Sequence, residues 1–229
     1  MVIAGMVKSS LVDYPGRPAC VLFTSGCNSD CYFCHNRGLI DGNCDALPLI
    51  DVMGFLNKRA GVLGAAVITG GEPLLQTGLL EFLIRLRGMG YKVKLDTNGS
   101  MPERLAEVLD AGLSDYVAVD YKSPAARYRE FCGPRADAEK VRKSIRLLQS
   151  GDQPFEVRTT VTPQLTLSDL QLMARELPKA LPRWALHRYR KPESFLPEHR
   201  ERIEAPAYTQ AEIEAFAKEL RALQPGATG

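Results

Sequence analysis

At 229 residues the chain is long for one small domain and short for two, and a hydrophobic content of 45% is ample for a core. A formal net charge of +2 gives no case for nucleic acid as a partner. No run approaches the roughly eighteen apolar residues of a membrane span, the start lacks the basic and apolar regions of a signal peptide, and six cysteines fit a reducing, cytoplasmic setting.

Taken in order, residues 2–7 form a short apolar run suited to an edge strand, followed by the turn Tyr14-Pro15-Gly16. Residues 19–24 read as the first buried strand. An alternation follows: helix 49–59, strand 65–69, helix 77–89 stopped by Gly90, strand 92–97, helix 102–111, strand 116–121, helix 138–149 and strand 155–162. Next come a helix opened by Ser168 with Gln171, a sixth strand at 184–190, and a last helix at 209–223 capped by Thr209 with Glu212. The tail from Pro225 is expected to fray. Six strand–helix repeats, with no linker to split them, predict an α/β fold as one domain over 1–229: a partial (β/α)6 TIM-like barrel.

The loop beyond the first buried strand carries Cys27-x3-Cys31-x2-Cys34, where parallel α/β folds place their chemistry. Three thiolates so spaced can wrap one small metal centre. A four-iron, four-sulfide cubane wants four protein ligands, so three cysteines leave one iron open to a substrate or cofactor. With His35 or Cys44 added, the same cysteines could close a tetrahedral zinc site. Cys20 reads as core, and Cys132 has no ligand spacing.

Three strands break the apolar rule for parallel sheets. Lys92, Lys94 and Asp96 share one face, as do Ala118, Asp120 and Lys122, and as do Glu156, Arg158, Thr160 and Thr162. Covering helices demand the apolar faces, so the charged faces are expected to point inward at a large polar ligand, or else to pair among themselves. Gly70-Gly71-Glu72-Pro73 follows an apolar strand, where glycines admit close backbone approach and a carboxylate can accept from an ammonium.

The three-cysteine motif with Phe33 resembles the radical S-adenosylmethionine (SAM) enzymes. Ser10-Leu11-Val12-Asp13-Tyr14-Pro15-Gly16 and Cys34-His35-Asn36 are similar to the glycyl-radical activating enzymes within them, nearest to those serving anaerobic (class III) ribonucleotide reductase, with the pyruvate formate-lyase activating enzyme a near relative. The resemblance, which extends over about 10–190, implies a radical SAM core there with one [4Fe-4S] cluster on Cys27, Cys31 and Cys34. It implies SAM contacts from Phe33, His35, Gly70, Gly71, Glu72, Asp96, Asn98, Asp120, Lys122, Arg158 and His187, with a monovalent cation at Asp96, Thr97 and Asp120. Glu72 and its glycines would take the methionine amino group, Arg158 the carboxylate, and His187 the adenosyl group. The implied reaction is reductive cleavage of SAM to a 5′-deoxyadenosyl radical that takes a hydrogen from a glycine of a partner enzyme. A flavodoxin- or ferredoxin-type protein would donate the electron, and no side-chain acid or base is called for. The alternatives are a radical SAM enzyme acting on a small molecule or nucleobase, and a zinc- or iron–sulfur-bound interaction module without catalysis.

Overall fold

The computed structural model describes all 229 residues. Its strands are β1 (Ile3–Ser10), β2 (Ala19–Thr24), β3 (Ala65–Gly70), β4 (Lys92–Thr97), β5 (Tyr116–Asp120), β6 (Phe155–Val161), β7 (Trp184–Arg188) and β8 (Ala227–Thr228). The helices are α1 (Leu49–Arg59), α2 (Leu79–Gly88), α3 (Pro102–Asp110), α4 (Tyr128–Cys132), α5 (Ala138–Gln149), α6 (Leu167–Glu176), α7 (Arg200–Glu204) and α8 (Gln210–Leu220). The strands form one sheet in chain order. β1 runs antiparallel to β2, whereas β2 with β3, β3 with β4, β6 with β7 and β7 with β8 are parallel. Helices join the parallel neighbours, as parallel pairing requires of its crossovers, so the expected α/β alternation is present. No helix is long and apolar enough to cross a membrane.

The chain packs as two compact units, Met1–Asn28 with Gly38–Thr97 and Glu103–Ala118, and Ser29–Arg37 with Asn98–Pro102 and Val119–Gly229. In the first, β2 is buried on both faces: Ala19 and Val21 pack with Tyr14, Ala65 and Val67, while Cys20 and Leu22 are fully covered on the other side. That explains its unbroken apolar run. Cys20 is therefore core.

In the second unit α5 shows how the sequence makes a helix. The Asp137 side chain accepts from the Glu139 N–H at 2.9 Å, capping an otherwise orphaned donor. Val141, Ser144, Ile145 and Leu148 then recur at helical spacing and are buried. Each such aliphatic contributes roughly 1.5–3 kcal/mol when covered. Ser144 uses its hydroxyl to donate to the Gly99 carbonyl at 2.7 Å, tying the helix to the Asn98-Gly99 turn.

The structure departs from the sequence expectations at several points. The cap of α6 is Thr166 with Asp169, not Ser168 with Gln171; Thr166 holds the extended backbone a cap needs, and Ser168 falls inside the first turn. The tail is ordered: Ala227 and Thr228 pair with Trp184 and Ala185, and the buried Gln224 amide donates to the carbonyls of Ala174 and Pro178 at 3.0 and 2.9 Å. Two five-residue helices, α4 and α7, lie where no helix was expected. Too short to persist alone, they are held by the burial of Phe131 and Ile203.

Candidate functional site

In the first unit the loop after β2 is stitched to the loop after β3. The Gly71 N–H donates to the Thr24 carbonyl at 2.9 Å, and the Glu72 N–H to the Gly26 carbonyl at 2.8 Å. A side chain at Gly71 would put its Cβ 2.0 Å from the Gly26 oxygen, and one at Gly70, where φ is +115°, would lie 2.3 Å from the Thr24 nitrogen. Both glycines are there because backbone must touch backbone. The Gly26 N–H reaches the Leu39 carbonyl at 2.7 Å and the Cys27 N–H reaches that of Ile40 at 3.0 Å, so the segment delivering Cys27 is held from two directions. Cys44 donates its thiol to the Ser25 hydroxyl at 3.0 Å.

Glu72 is fully buried, and its carboxylate accepts from the Thr97 hydroxyl at 2.7 Å and the Leu74 N–H at 3.0 Å. Those donors satisfy a charge that burial would otherwise make costly. The charged face of β4 also pairs internally: Lys94 is buried, meets Asp96 at 3.0 Å and donates to the Asp13 carbonyl at 2.9 Å.

In the second unit the C-terminal end of α4 braces the cysteine loop. The Asp30 and Tyr32 N–H groups donate to the carbonyls of Cys132 and Phe131 at 2.8 and 3.3 Å. Gly133, at φ +89°, lies so close that a Cβ there would meet the Asp30 Cβ at 2.8 Å. Tyr32 stacks edge-on against Phe33 and Phe131, its hydroxyl donates to Gln164 at 2.6 Å, and the Arg202 guanidinium sits 3.8 Å from its ring centre. The Cys34 N–H closes a turn on the Cys31 carbonyl at 3.1 Å. Phe33 is buried and His35 exposed.

No disulfide forms among the six cysteines. A hydrogen bond with the Cys132 thiol, then burial, pushes the Cys31 thiol well above its ordinary range, and burial raises Cys34 as well. At both positions the surroundings disfavour the thiolate. Cys132 is thus a neighbour of the motif that its spacing could not reveal; no local signal in the sequence would have found it.

Asp120, at the end of β5, accepts from Lys122 Nζ at 2.7 Å and Arg158 Nε at 3.0 Å. Burial alone would raise its carboxyl, but Lys122 and Arg158 outweigh that and hold it far below the usual range. The alternating faces of β5 and β6 are thus brought together as an ion triad, with Glu156 separately meeting Arg183 at 3.4 Å. His187 is exposed on β7, in register with Thr160 of the neighbouring strand, and partial loss of hydration around its ring, together with the Arg158 charge, depresses its pKa. Asn98 is largely buried, donates to the Ser29 hydroxyl at 3.3 Å and accepts from the Ser100 N–H at 2.9 Å.

Nowhere do three histidine, cysteine or carboxylate side chains converge as a single metal ion would require. A cubane is a larger body whose ligands stand around it. Cys27, Cys31 and Cys34 form no disulfide, which leaves their sulfurs chemically able to ligate iron.

A sequence model of the radical SAM superfamily matches residues 21–177. A Methanocaldococcus jannaschii protein provisionally named a glycyl-radical enzyme activating enzyme is 33% identical over 168 residues, covering 71% of this chain and 69% of that protein. A Methanopyrus kandleri protein named 7-carboxy-7-deazaguanine synthase is 33% identical over 133 residues, covering 49% of this chain and 52% of the relative, so that only about half of its length is spanned. Among solved structures, Streptococcus suis SuiB bound to S-adenosylmethionine superposes with a TM-score of 0.61 at 16% identity, over 85% of this chain and 44% of that one. That likeness is one of fold. With the family match covering most of its length, the chain belongs to the radical SAM superfamily of enzymes.

Proposed function

We propose that this protein is a glycyl-radical activase: it cleaves SAM reductively and leaves a glycyl radical on a partner enzyme, with anaerobic ribonucleotide reductase the first candidate. The observation that carries this reading is the likeness to the M. jannaschii activating enzyme across more than two thirds of both chains, whereas the deazaguanine synthase shares about half. The sequence around Cys27, Cys31 and Cys34 supports a [4Fe-4S] cluster on those residues. Cys27, Cys31 and Cys34 would hold that cluster, which when bound and reduced would supply the electron for cleavage of the sulfonium bond of SAM.

The protein's own contribution is orientation. Gly70 and Gly71, compelled by backbone contact to carry no side chain, present peptide groups for the methionine ammonium, with Glu72 beside them. Asp96 and Thr97 add oxygen ligands suited to a monovalent cation or to that ammonium, and Asp120 is proposed for the same cation. On the second unit Arg158 suits a carboxylate and His187 the adenosyl group, with Asn98, Lys122, Phe33 and His35 proposed around them. Lys122 lies within electrostatic reach of both Cys31 and Asp120. Its positive charge favours the thiolate that an iron requires. A cytoplasmic setting and a flavodoxin- or ferredoxin-type donor belong to the same proposal.

Anaerobic reconstitution with iron and sulfide tests it. The expected result is a brown protein with about one cubane per chain, iron-dependent SAM cleavage after reduction, and an electron paramagnetic resonance doublet on the candidate reductase. Zinc without a chromophore refutes the cluster. SAM cleavage that needs a nucleobase and proceeds with no radical on the reductase favours the second reading, small-molecule chemistry, which the synthase likeness supports.

A further inference from the structure

Of the cysteines outside the motif, two address oxygen: the Cys20 thiol faces the Ala65 carbonyl at 3.9 Å, and that of Cys44 the Ser25 hydroxyl at 3.0 Å. Cys132 differs. The atom its thiol meets is the sulfur of Cys31, with which it is hydrogen-bonded.

The chain is built to keep that pair together. On either side of Cys31, the Asp30 and Tyr32 N–H groups donate to the carbonyls of Cys132 and Phe131 at 2.8 and 3.3 Å, so the two segments run side by side at the end of α4. Directly after Cys132, Gly133 takes φ +89°, and a Cβ there would meet the Asp30 Cβ at 2.8 Å, which leaves no room for a larger residue. The rings of Phe33 and Phe131 close the neighbourhood, centred 5.0 and 5.6 Å from that of Tyr32. Cys31 is 6% exposed and Cys132 1%. A thiol is a weak donor in water, but here almost no water competes for the bond.

Without metal, Cys31 gives its hydrogen to Cys132, which is why the bond disfavours the Cys31 thiolate. A sulfur bound to iron has lost that hydrogen, so the direction reverses. Cys132 then becomes the donor, through a turn of its own S–H.

We propose that Cys132 is a positioning residue for the cluster: its S–H donates to the Cys31 sulfur and, acting through it, raises the potential at which the cluster accepts an electron. The inference rests on the reading of Cys31 as a cluster ligand and deepens it. Hydrogen bonds to the ligand sulfurs help to set iron–sulfur potentials. One-electron reduction adds a negative charge to the centre, and a donor aimed at its ligand stabilises the more charged form more strongly. No proton is transferred: Cys132 keeps its hydrogen in both states, and the electron comes from a low-potential donor, dithionite in the test below.

The test is a redox titration of the reconstituted full chain, followed by electron paramagnetic resonance of the reduced cluster, in the parent and three variants. Cys132→Val nearly keeps the volume without a donor, Cys132→Ala loses both, and Cys132→Ser loses volume but keeps a donor. The valine variant should lower the equilibrium constant for reduction by about three- to tenfold, about 30–60 mV for one electron. Alanine should follow valine, and serves in its place if circular dichroism shows that valine disturbs the fold. Serine should titrate at or above the parent, and all four proteins should hold the same iron. Coincident potentials overturn the inference. So does a grouping by volume, with serine beside alanine and valine beside the parent, since that would mean packing alone. Loss of iron in all three variants would make Cys132 a ligand and overturn it too. A parent that assembles no cubane removes the cluster reading and this inference with it, whereas intact cubanes at one shared potential remove the inference alone.

Discussion

Replacing Gly71 by alanine gives the sharpest test of how the candidate site is built. The new Cβ would lie 2.0 Å from the Gly26 oxygen and 2.6 Å from its carbonyl carbon, both backbone atoms with no rotamer to escape into. Relief requires the two loops to part, breaking the Glu72-to-Gly26 and Gly71-to-Thr24 hydrogen bonds of 2.8 and 2.9 Å. Two bonds at about 1 kcal/mol each, with 1–2 kcal/mol for overpacking, give a loss of about 3–4 kcal/mol. Gly54→Ala supplies the opposite sign: Gly54 is exposed in the middle of α1 and a Cβ there meets nothing within 4 Å. Alanine in that helix should stabilise by about 1 kcal/mol. With a urea slope of about 3 kcal/mol/M, Gly71→Ala should lower the unfolding midpoint by roughly 1 M and Gly54→Ala raise it by roughly 0.3 M. Coincident midpoints for Gly71→Ala and the parent would refute the argument that backbone contact compels this glycine.

Asp120→Asn removes the charge that Lys122 and Arg158 share, and should cost roughly 2 kcal/mol at neutral pH, below the range for a fully buried pair because the carboxylate is partly exposed. The sign with pH is fixed by the depressed folded-state pKa: the stability is present above the unfolded value of about 3.9 and is lost as pH falls through the lower folded one. The gap between parent and variant should therefore narrow below about pH 4, and a gap that stays constant in acid urea titrations would sink the ion triad as its cause. Thr209→Ala should cost about 1 kcal/mol through loss of the α8 capping box, with Thr209→Ser restoring most of it. Indistinguishable melting of the alanine variant would mean that the cap carries no stability.

The alternation of elements was legible because each is encoded by neighbours in sequence. β2, α1, β4 and α5 lie where their periodicity puts them, since apolar spacing and local caps are short-range signals. The same holds for the Thr209 and Glu212 cap and for the cysteine motif, whose members fall within one loop. Where two caps competed, as before α6, the backbone chose Thr166, and a composition rule could not rank them. The ordered tail and the short helices α4 and α7 escaped notice because their stability comes from contacts with distant chain, not from propensity.

By itself, then, the sequence determined the repeat of strand and helix, the three thiols on one loop, and the positions of the charges along each strand. Only the tertiary structure decided what those groups meet: Cys132 against Cys31, Asp120 between Lys122 and Arg158, and Glu72 beneath Thr97. Periodicity fixes the face on which a side chain stands, but its partner is fixed by packing between segments far apart in the chain, and no local pattern records that.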